Sequence, residues 1–262
     1  MKLKLYQIDT FADRVFRGNP AAVIPLDDWL DDSIMQAIAA ENNLSETAFF
    51  VPKENGYHLR WFSPVQEVPF CGHATLASAF VIFHILGAPD QSIRFETLSG
   101  ELAVTKDGDL FVMDFPRMEL IPCEAPAYLL DGLGNKPTEI FRVDADPNYY
   151  AVYPSEEDVR SISPDLRALE QLHPYGVVIT APGKTADIIS RYFAPSYGIP
   201  EDPVTGSIHA ALVPYWSERL GKPKLHAWQV SQRGGELFCE DRQDRVLVAG
   251  RGVKFLEGEI NL

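Results

Sequence analysis

Cysteine, basic residues and long apolar runs are all scarce in this chain, and each scarcity excludes something. Three cysteines in 262 residues, Cys71, Cys123 and Cys239, are an odd number without a CxxC pair. That speaks against a disulfide framework and against a structural zinc site. Lysine and arginine total 23 against 37 aspartates and glutamates, a formal charge of -14. With no clustered basic face, nucleic acid and anionic membrane surfaces are excluded as partners. The longest apolar run, Ala74 to Ile85, is interrupted by Thr75, Ser78 and His84 and is too short to span a bilayer. The opening Met1-Lys2-Leu3-Lys4-Leu5-Tyr6 alternates as a strand does and lacks the apolar core and cleavage site of a secretory signal. The expectation is a cytoplasmic protein with reduced thiols.

What the chain does have is a hydrophobic content of 46% and an aromatic content of 11%, enough for one large or two small cores. It also has an internal twin. Glu67-Val68-Pro69-Phe70-Cys71-Gly72-His73 and Glu201-Asp202-Pro203-Val204-Thr205-Gly206-Ser207 share a glutamate five residues before the glycine, a proline three before it and a second glycine fifteen after it. Arg60-Trp61-Phe62-Ser63-Pro64 matches Arg191-Tyr192-Phe193-Ala194-Pro195, and Gly100-Glu101-Leu102 matches Gly235-Glu236-Leu237 at nearly the same distance from each glycine. A duplicated unit follows, each turn opening a helix.

Alternation and turn residues place strands at 3–9, 47–51, 57–62, 93–97, 101–105 and 110–115, with a helix from Asp31-Asp32 to Asn42-Asn43. Residues 73–86 show almost no polar face, so the helix predicted there must be wrapped, most simply by a curved sheet. In the second half, 148–152 and 176–180 read as strands with a helix at 165–172 between them. The fold class is therefore α+β: two similar domains from internal duplication, each a curved mixed sheet around a central helix. The boundary falls in the proline-broken stretch 116–126, giving domains 1–118 and 119–262, with the last strand able to pack back on the first. The cleft between the halves is the expected site.

Candidate chemistry lies in what the twins do not share. Gly72 and Gly206 read structurally, as positions of positive φ or close backbone approach, and their N–H groups at helix starts also suit an anion. His73 is either a packing histidine or a catalytic one; its place in the twin turn favours the second, and a positive helix end should lower its pKa. Asp202 is either the turn-capping aspartate of an Asp-Pro pair or a functional carboxylate, again favoured by the repeat. Glu67 and Glu201, common to both halves, read as structural, bonding amides of the turn. Glu46 is either solvated or, held against Phe49-Phe50, a carboxylate of raised pKa able to shuttle protons. Cys71 precedes Gly72 at a helix start that stabilises a thiolate, but Thr205 stands at the matching place, so a two-thiol racemase mechanism is not available.

Together these residues resemble the PhzF family, the phenazine-biosynthesis isomerase and its relatives, which share the fold of diaminopimelate epimerase. The resemblance is carried by Asp9-Thr10-Phe11, Gly18-Asn19-Pro20-Ala21-Ala22-Val23, Asn43-Leu44-Ser45-Glu46-Thr47-Ala48-Phe49, Arg60-Trp61-Phe62-Ser63-Pro64, Cys71-Gly72-His73-Ala74-Thr75 and Glu201 to Ser207. It implies a homodimer of two-domain subunits without metal or organic cofactor. By analogy Glu46 is the acid/base that moves a proton between two carbons. His73, Asp202 and Ser207, with the amides of Gly72 and Gly206, hold the carboxylate and amino groups of a small substrate. A departure is Pro214 inside the second central helix, which removes the hydrogen bond to the Ala210 carbonyl and should kink the axis. Two other readings stand beside the isomerase: a binding or interaction module on the same scaffold, and an amino-acid racemase or epimerase using Glu46 and Asp202 as two bases.

Overall fold

Strands are the commonest regular element of the chain, as its alternating segments anticipate. The computed structural model describes residues 1–262, which divide into a first unit, Met1–Asp114 with Ala249–Leu262, and a second, Phe115–Val248.

The first unit contains β1 (Lys2–Thr10), β2 (Asn19–Pro25), α1 (Asp32–Asn42), β3 (Thr47–Lys53), β4 (Gly56–Phe62), the short β5 (Glu67–Val68), α2 (Gly72–Phe80), β6 (Ser92–Thr97), β7 (Gly100–Asp107) and β8 (Leu110–Pro116), whose last two residues belong to the second unit. The strand Gly252–Asn261 returns to pair antiparallel with β1. α1 begins and ends where its caps require. The Asp31 carboxylate accepts from the Ser33 N–H, and Asn43 adopts the left-handed conformation at φ 50 to close the last turn. Its buried Met35, Ile38 and Ala39 join Ile24, Phe49 and Phe62 in one core cluster.

α2 is wrapped as its lack of a polar face requires. Every residue from His73 to Ala79 is buried, against β1, β2, β3, β7 and the returning strand. Each fully covered leucine such as Leu76 contributes about 2 kcal/mol over exposure. The expected single helix over 73–86 is not uniform, however. After Phe80 it widens into a π turn, Val81–Ile85, with the Leu86 N–H donating to the Val81 carbonyl. The wider turn brings Phe80, Phe83 and His84 around the Phe111 ring of β8, at centroid distances of 5.8, 5.9 and 5.6 Å. The widened turn and the aromatic cluster thus coincide.

The second unit continues with β9 (Ile121–Pro122), α3 (Ala127–Leu133), β10 (Glu139–Val143), β11 (Asn148–Val152), α4 (Glu156–Ser161), α5 (Leu166–Glu170), β12 (Gly176–Pro182), β13 (Ile188–Ala194), β14 (Ile199–Asp202), α6 (His209–Leu220), β15 (Lys224–Gln229), β16 (Gly235–Arg242) and β17 (Arg245–Gly250), whose last two residues belong to the first unit; the returning strand of the first unit is β18. The duplication shows in the pairing. In the first unit the pairs β1/β2, β2/β3, β3/β4, β4/β6 and β6/β7 run antiparallel, parallel, antiparallel, parallel, antiparallel. The series β10/β11, β11/β12, β12/β13, β13/β15 and β15/β16 in the second repeats that order. A parallel pair needs a crossover, so α2 and α6 occupy equivalent connections. No helix is long and apolar enough to cross a membrane.

α6 runs unbroken through Pro214, and the Ala210 carbonyl that proline leaves without a helical donor accepts the backbone N–H of Met118 at 3.1 Å. A buried carbonyl that loses its helical donor is thereby satisfied from outside the helix.

Candidate active site

The same skeleton supports the two twin turns. Arg60 on β4 grips Glu67 with Nε and Nη2 at 2.7 and 2.8 Å, and Arg191 on β13 grips Glu201 at 2.7 and 3.0 Å. Glu67 and Glu201 are structural, as their duplication suggested, but their partners are guanidinium groups and not the turn amides. A planar fork matches a carboxylate better than two amides on a curved turn. The second shared device sits three residues after each glycine. The Thr75 hydroxyl donates to the Cys71 carbonyl at 2.6 Å, and His209 Nδ1 lies 2.9 Å from the equivalent Thr205 carbonyl. Neither Gly72 nor Gly206 has a positive φ, so the left-handed role foreseen for them is not the one they play. Gly72 is the first residue of α2, whereas α6 begins only at His209, after tight bonds from the His209 N–H to the Gly206 carbonyl and from the Ala210 N–H to the Ser207 carbonyl.

In the first unit three elements converge. Glu46 is the last residue before β3, and its carbonyl accepts the Ala22 N–H of β2 at 3.3 Å, which anchors the backbone where the parallel pair begins. Asn42 at the end of α1 reaches the Thr47 hydroxyl at 3.1 Å and fixes the other side of the joint. From here the Glu46 carboxylate, 12% exposed, stands with Oε2 3.3 Å from Nε2 of His73 in the first turn of α2. On the far side of the imidazole, Nδ1 lies 3.3 Å from the Asn19 amide nitrogen and 3.4 Å from Cys71 Sγ. Asn19 and Cys71 thus occupy the Nδ1 edge of the ring, and Nε2 is the nitrogen nearest the Glu46 carboxylate. Burial pushes the His73 pKa down to about 3, so at neutral pH the ring is uncharged. The direction agrees with the expectation, but desolvation and not the helix end is the cause.

Asn19 is a participant that the sequence hid inside a turn motif. It is fully buried at the start of β2, directly after Gly18 at φ +65. A Cβ at Gly18 would lie 1.9 Å from the Thr10 carbonyl oxygen, so only glycine lets the chain bring Asn19 to the ring.

In the second unit Asp202 ends β14, buried, and its carboxylate accepts the Thr205 hydroxyl. Gln229 at the end of β15 clamps the turn: its amide nitrogen donates to the Asp202 carbonyl and its amide oxygen accepts the Thr205 N–H, both at 2.9 Å. Nothing in the sequence around Gln229 marks it. Ser207 is half-buried and Gly206 buried on the turn leading into α6. Thus Glu46, His73 and Gly72 come together in the first unit, joined by Cys71 and Asn19, while Asp202, Gly206 and Ser207 share one turn of the second.

A groove of about 990 Å³ on the second unit contains none of these residues. Its guanidinium groups are already committed, Arg219 to Glu139 at 2.7 Å and Arg117 to Asp241 at 2.9 Å, which leaves no cation for a carboxylate ligand.

Residues 8–258 match the model of a family described as phenazine biosynthesis-like protein. An uncharacterized isomerase of Pseudomonas aeruginosa is 47% identical, with both chains covered in full. The crystal structure of a PhzF-family phenazine biosynthesis protein from Enterococcus faecalis superposes with a TM-score of 0.96 at 44% identity, again over the whole of both chains. A probable proline racemase from Agrobacterium radiobacter, 12% identical, covers 99% of this chain and 93% of its own with a TM-score of 0.63, a likeness of fold alone.

Proposed function

The chain belongs to the phenazine biosynthesis-like, PhzF-type family, and from that premise we propose that it is an isomerase that moves a proton on a small amino or hydroxy carboxylic acid with Glu46 as its single acid/base. The observation that carries this reading is the Glu46 carboxylate 3.3 Å from Nε2 of a neutral, buried imidazole. Because burial disfavours the charged His73 ring, Glu46 is the member of the pair proposed to take up the substrate proton. A carboxylate in that setting removes a proton from a carbon beside the substrate carboxylate and returns it to another carbon. The N–H groups at the start of α2, which helix geometry leaves without intrahelical carbonyls, suit the negative charge that develops. His73, Gly72, Asp202, Gly206 and Ser207 are the proposed substrate-binding residues. No organic cofactor is required, since the step only relocates a proton.

A two-thiol racemase is disfavoured by the second turn, where Thr205 takes the place of a cysteine and its hydroxyl is bonded to Asp202. The test is Glu46→Gln, which keeps the shape and a hydrogen-bonding side chain. Small amino and hydroxy carboxylates that raise the melting temperature are incubated in D₂O and followed by proton NMR. Wild type should wash deuterium into one C–H position, and the variant should bind the same compound with exchange slowed by roughly a thousandfold or more. Exchange at an unchanged rate rejects Glu46 as the base.

A further inference from the structure

The donor atoms around Glu46 answer a question different from proton transfer. The carboxylate of Glu46, the sulfur of Cys71 and the imidazole of His73 offer one oxygen, one sulfur and one nitrogen, all within 4.8 Å of one another. Nδ1 of the ring is 3.4 Å from Cys71 Sγ and Nε2 is 3.3 Å from Glu46 Oε2, with sulfur and carboxylate themselves no more than 4.8 Å apart. Ligands bound to one tetrahedral ion at 2.0–2.3 Å stand about 3.5 Å apart. An imidazole gives a single nitrogen to a given ion, so the widest separation has to close by about an ångström, a movement within the range of a carboxylate at the end of two flexible torsions.

We propose that Glu46, Cys71 and His73 form a binding site for a borderline-soft divalent cation, Zn²⁺ above all, held by three protein ligands with a fourth position open. Thiolate with imidazole selects zinc over magnesium and calcium, which take oxygen ligands. One thiolate and one carboxylate also balance a 2+ ion, so no net charge is buried. Slight exposure of the Glu46 and His73 side chains, 12% and 8%, leaves the donors within reach of a small ion. Sequence spacing concealed the set, because the Cys71-x-His73 pair meets a carboxylate from a distant strand end. An ion here ties up the Glu46 carboxylate, so zinc acts as a reversible inhibitor and not as a cofactor. The binding site is inferred from the side-chain arrangement alone; the inhibition rests on the proposed role of Glu46 in proton transfer.

The reduced full-length chain is titrated with Co²⁺, a spectroscopic stand-in for zinc. The expected result is a thiolate-to-cobalt charge-transfer band in the near ultraviolet saturating at one ion per chain, with Zn²⁺ displacing the cobalt. Cys71→Ser should abolish the band and weaken zinc binding by roughly a hundredfold, and Glu46→Gln should weaken it by roughly tenfold while keeping the band. Cys123→Ser and Cys239→Ser should change neither. Titration of the wild-type chain without a charge-transfer band overturns the proposal whatever the variants do, as does a band that survives in Cys71→Ser. Both readouts report metal binding, so their failure is distinct from any failure of the exchange assay.

Discussion

His209 makes the stability of this protein depend on pH below 6.5, a window it shares with the likewise lowered His58, His73 and His84. Its ring is wholly buried in the first turn of α6, with Nδ1 2.9 Å from the Thr205 carbonyl, and burial lowers its pKa from 6.5 to about 4. The hydrogen bond to Thr205 partly opposes that shift without reversing it. Above pH 6.5 neither folded nor unfolded chain carries the proton, and the full stability is present. As pH falls below 6.5 the unfolded chain takes up a proton that the folded chain refuses until about pH 4. Stability then drops by about 1.4 kcal/mol per pH unit, roughly 3 kcal/mol in all by pH 4. For a chain of this size that is a fall in Tm of about 6 °C. Carboxylates held below their ordinary range, such as Glu156 and Asp187, lose their contribution only at lower pH, below their unfolded values. The assay is urea or thermal unfolding from about pH 7.5 to about pH 4.5 for wild type and His209→Asn, whose amide keeps a donor near Nδ1 but does not titrate. His58, His73 and His84, shifted the same way, are common to both proteins and cancel in the difference. The variant starts lower because of the lost ring volume, yet its curve should be flatter by about 1.4 kcal/mol per unit. Parallel curves would show that the ring is not held neutral by burial and would refute the reasoning.

Gly18→Ala should cost at least about 2 kcal/mol in chemical denaturation, since it combines a left-handed backbone with a Cβ 1.9 Å from the Thr10 carbonyl oxygen; a loss under half of that would mean that the loop yields easily. Pro214→Ala should change stability by less than about 1 kcal/mol, because the Ala210 carbonyl is already bonded to Met118. A gain near 3 kcal/mol in equilibrium unfolding would contradict that accounting. Glu201→Gln should destabilise by about 2 kcal/mol, and Glu67→Gln by less, since Arg60 keeps Asp32 at 2.8 Å while Arg191 is left with two backbone carbonyls. Equal losses would refute the difference drawn between the two clamps.

Local signals were legible wherever a period or a cap controls the outcome. The hairpin of β3 and β4, the capped α1 and the three strands after α2 follow from alternation and from Asp31, Asn43 and Gly108. The duplication was legible too, because matched landmarks recur at matched spacing, and the matched order of strand pairing bears it out. The π turn after Phe80 was not, and the Phe111 ring that it coincides with lies on a later strand. Nor were the Arg60–Glu67 and Arg191–Glu201 forks, although all four residues lie in the repeated landmarks. A repeat identifies structural residues without naming their partners.

For the candidate site the division is similar. The twin turns, and the residues by which they differ, singled out His73, Asp202 and Ser207, and the resemblance added a role for Glu46. All of that is written in residue identity and spacing. Tertiary structure alone decided that Glu46 faces Nε2 of His73, that Asn19 and Cys71 share the other nitrogen, and that Gln229 fixes the turn bearing Asp202. The reason is physical. Periodicity and caps are interactions among residues within a few positions of each other, whereas a buried imidazole takes its charge, its tautomer and its partners from groups that only the closing of distant strands brings within 3.5 Å.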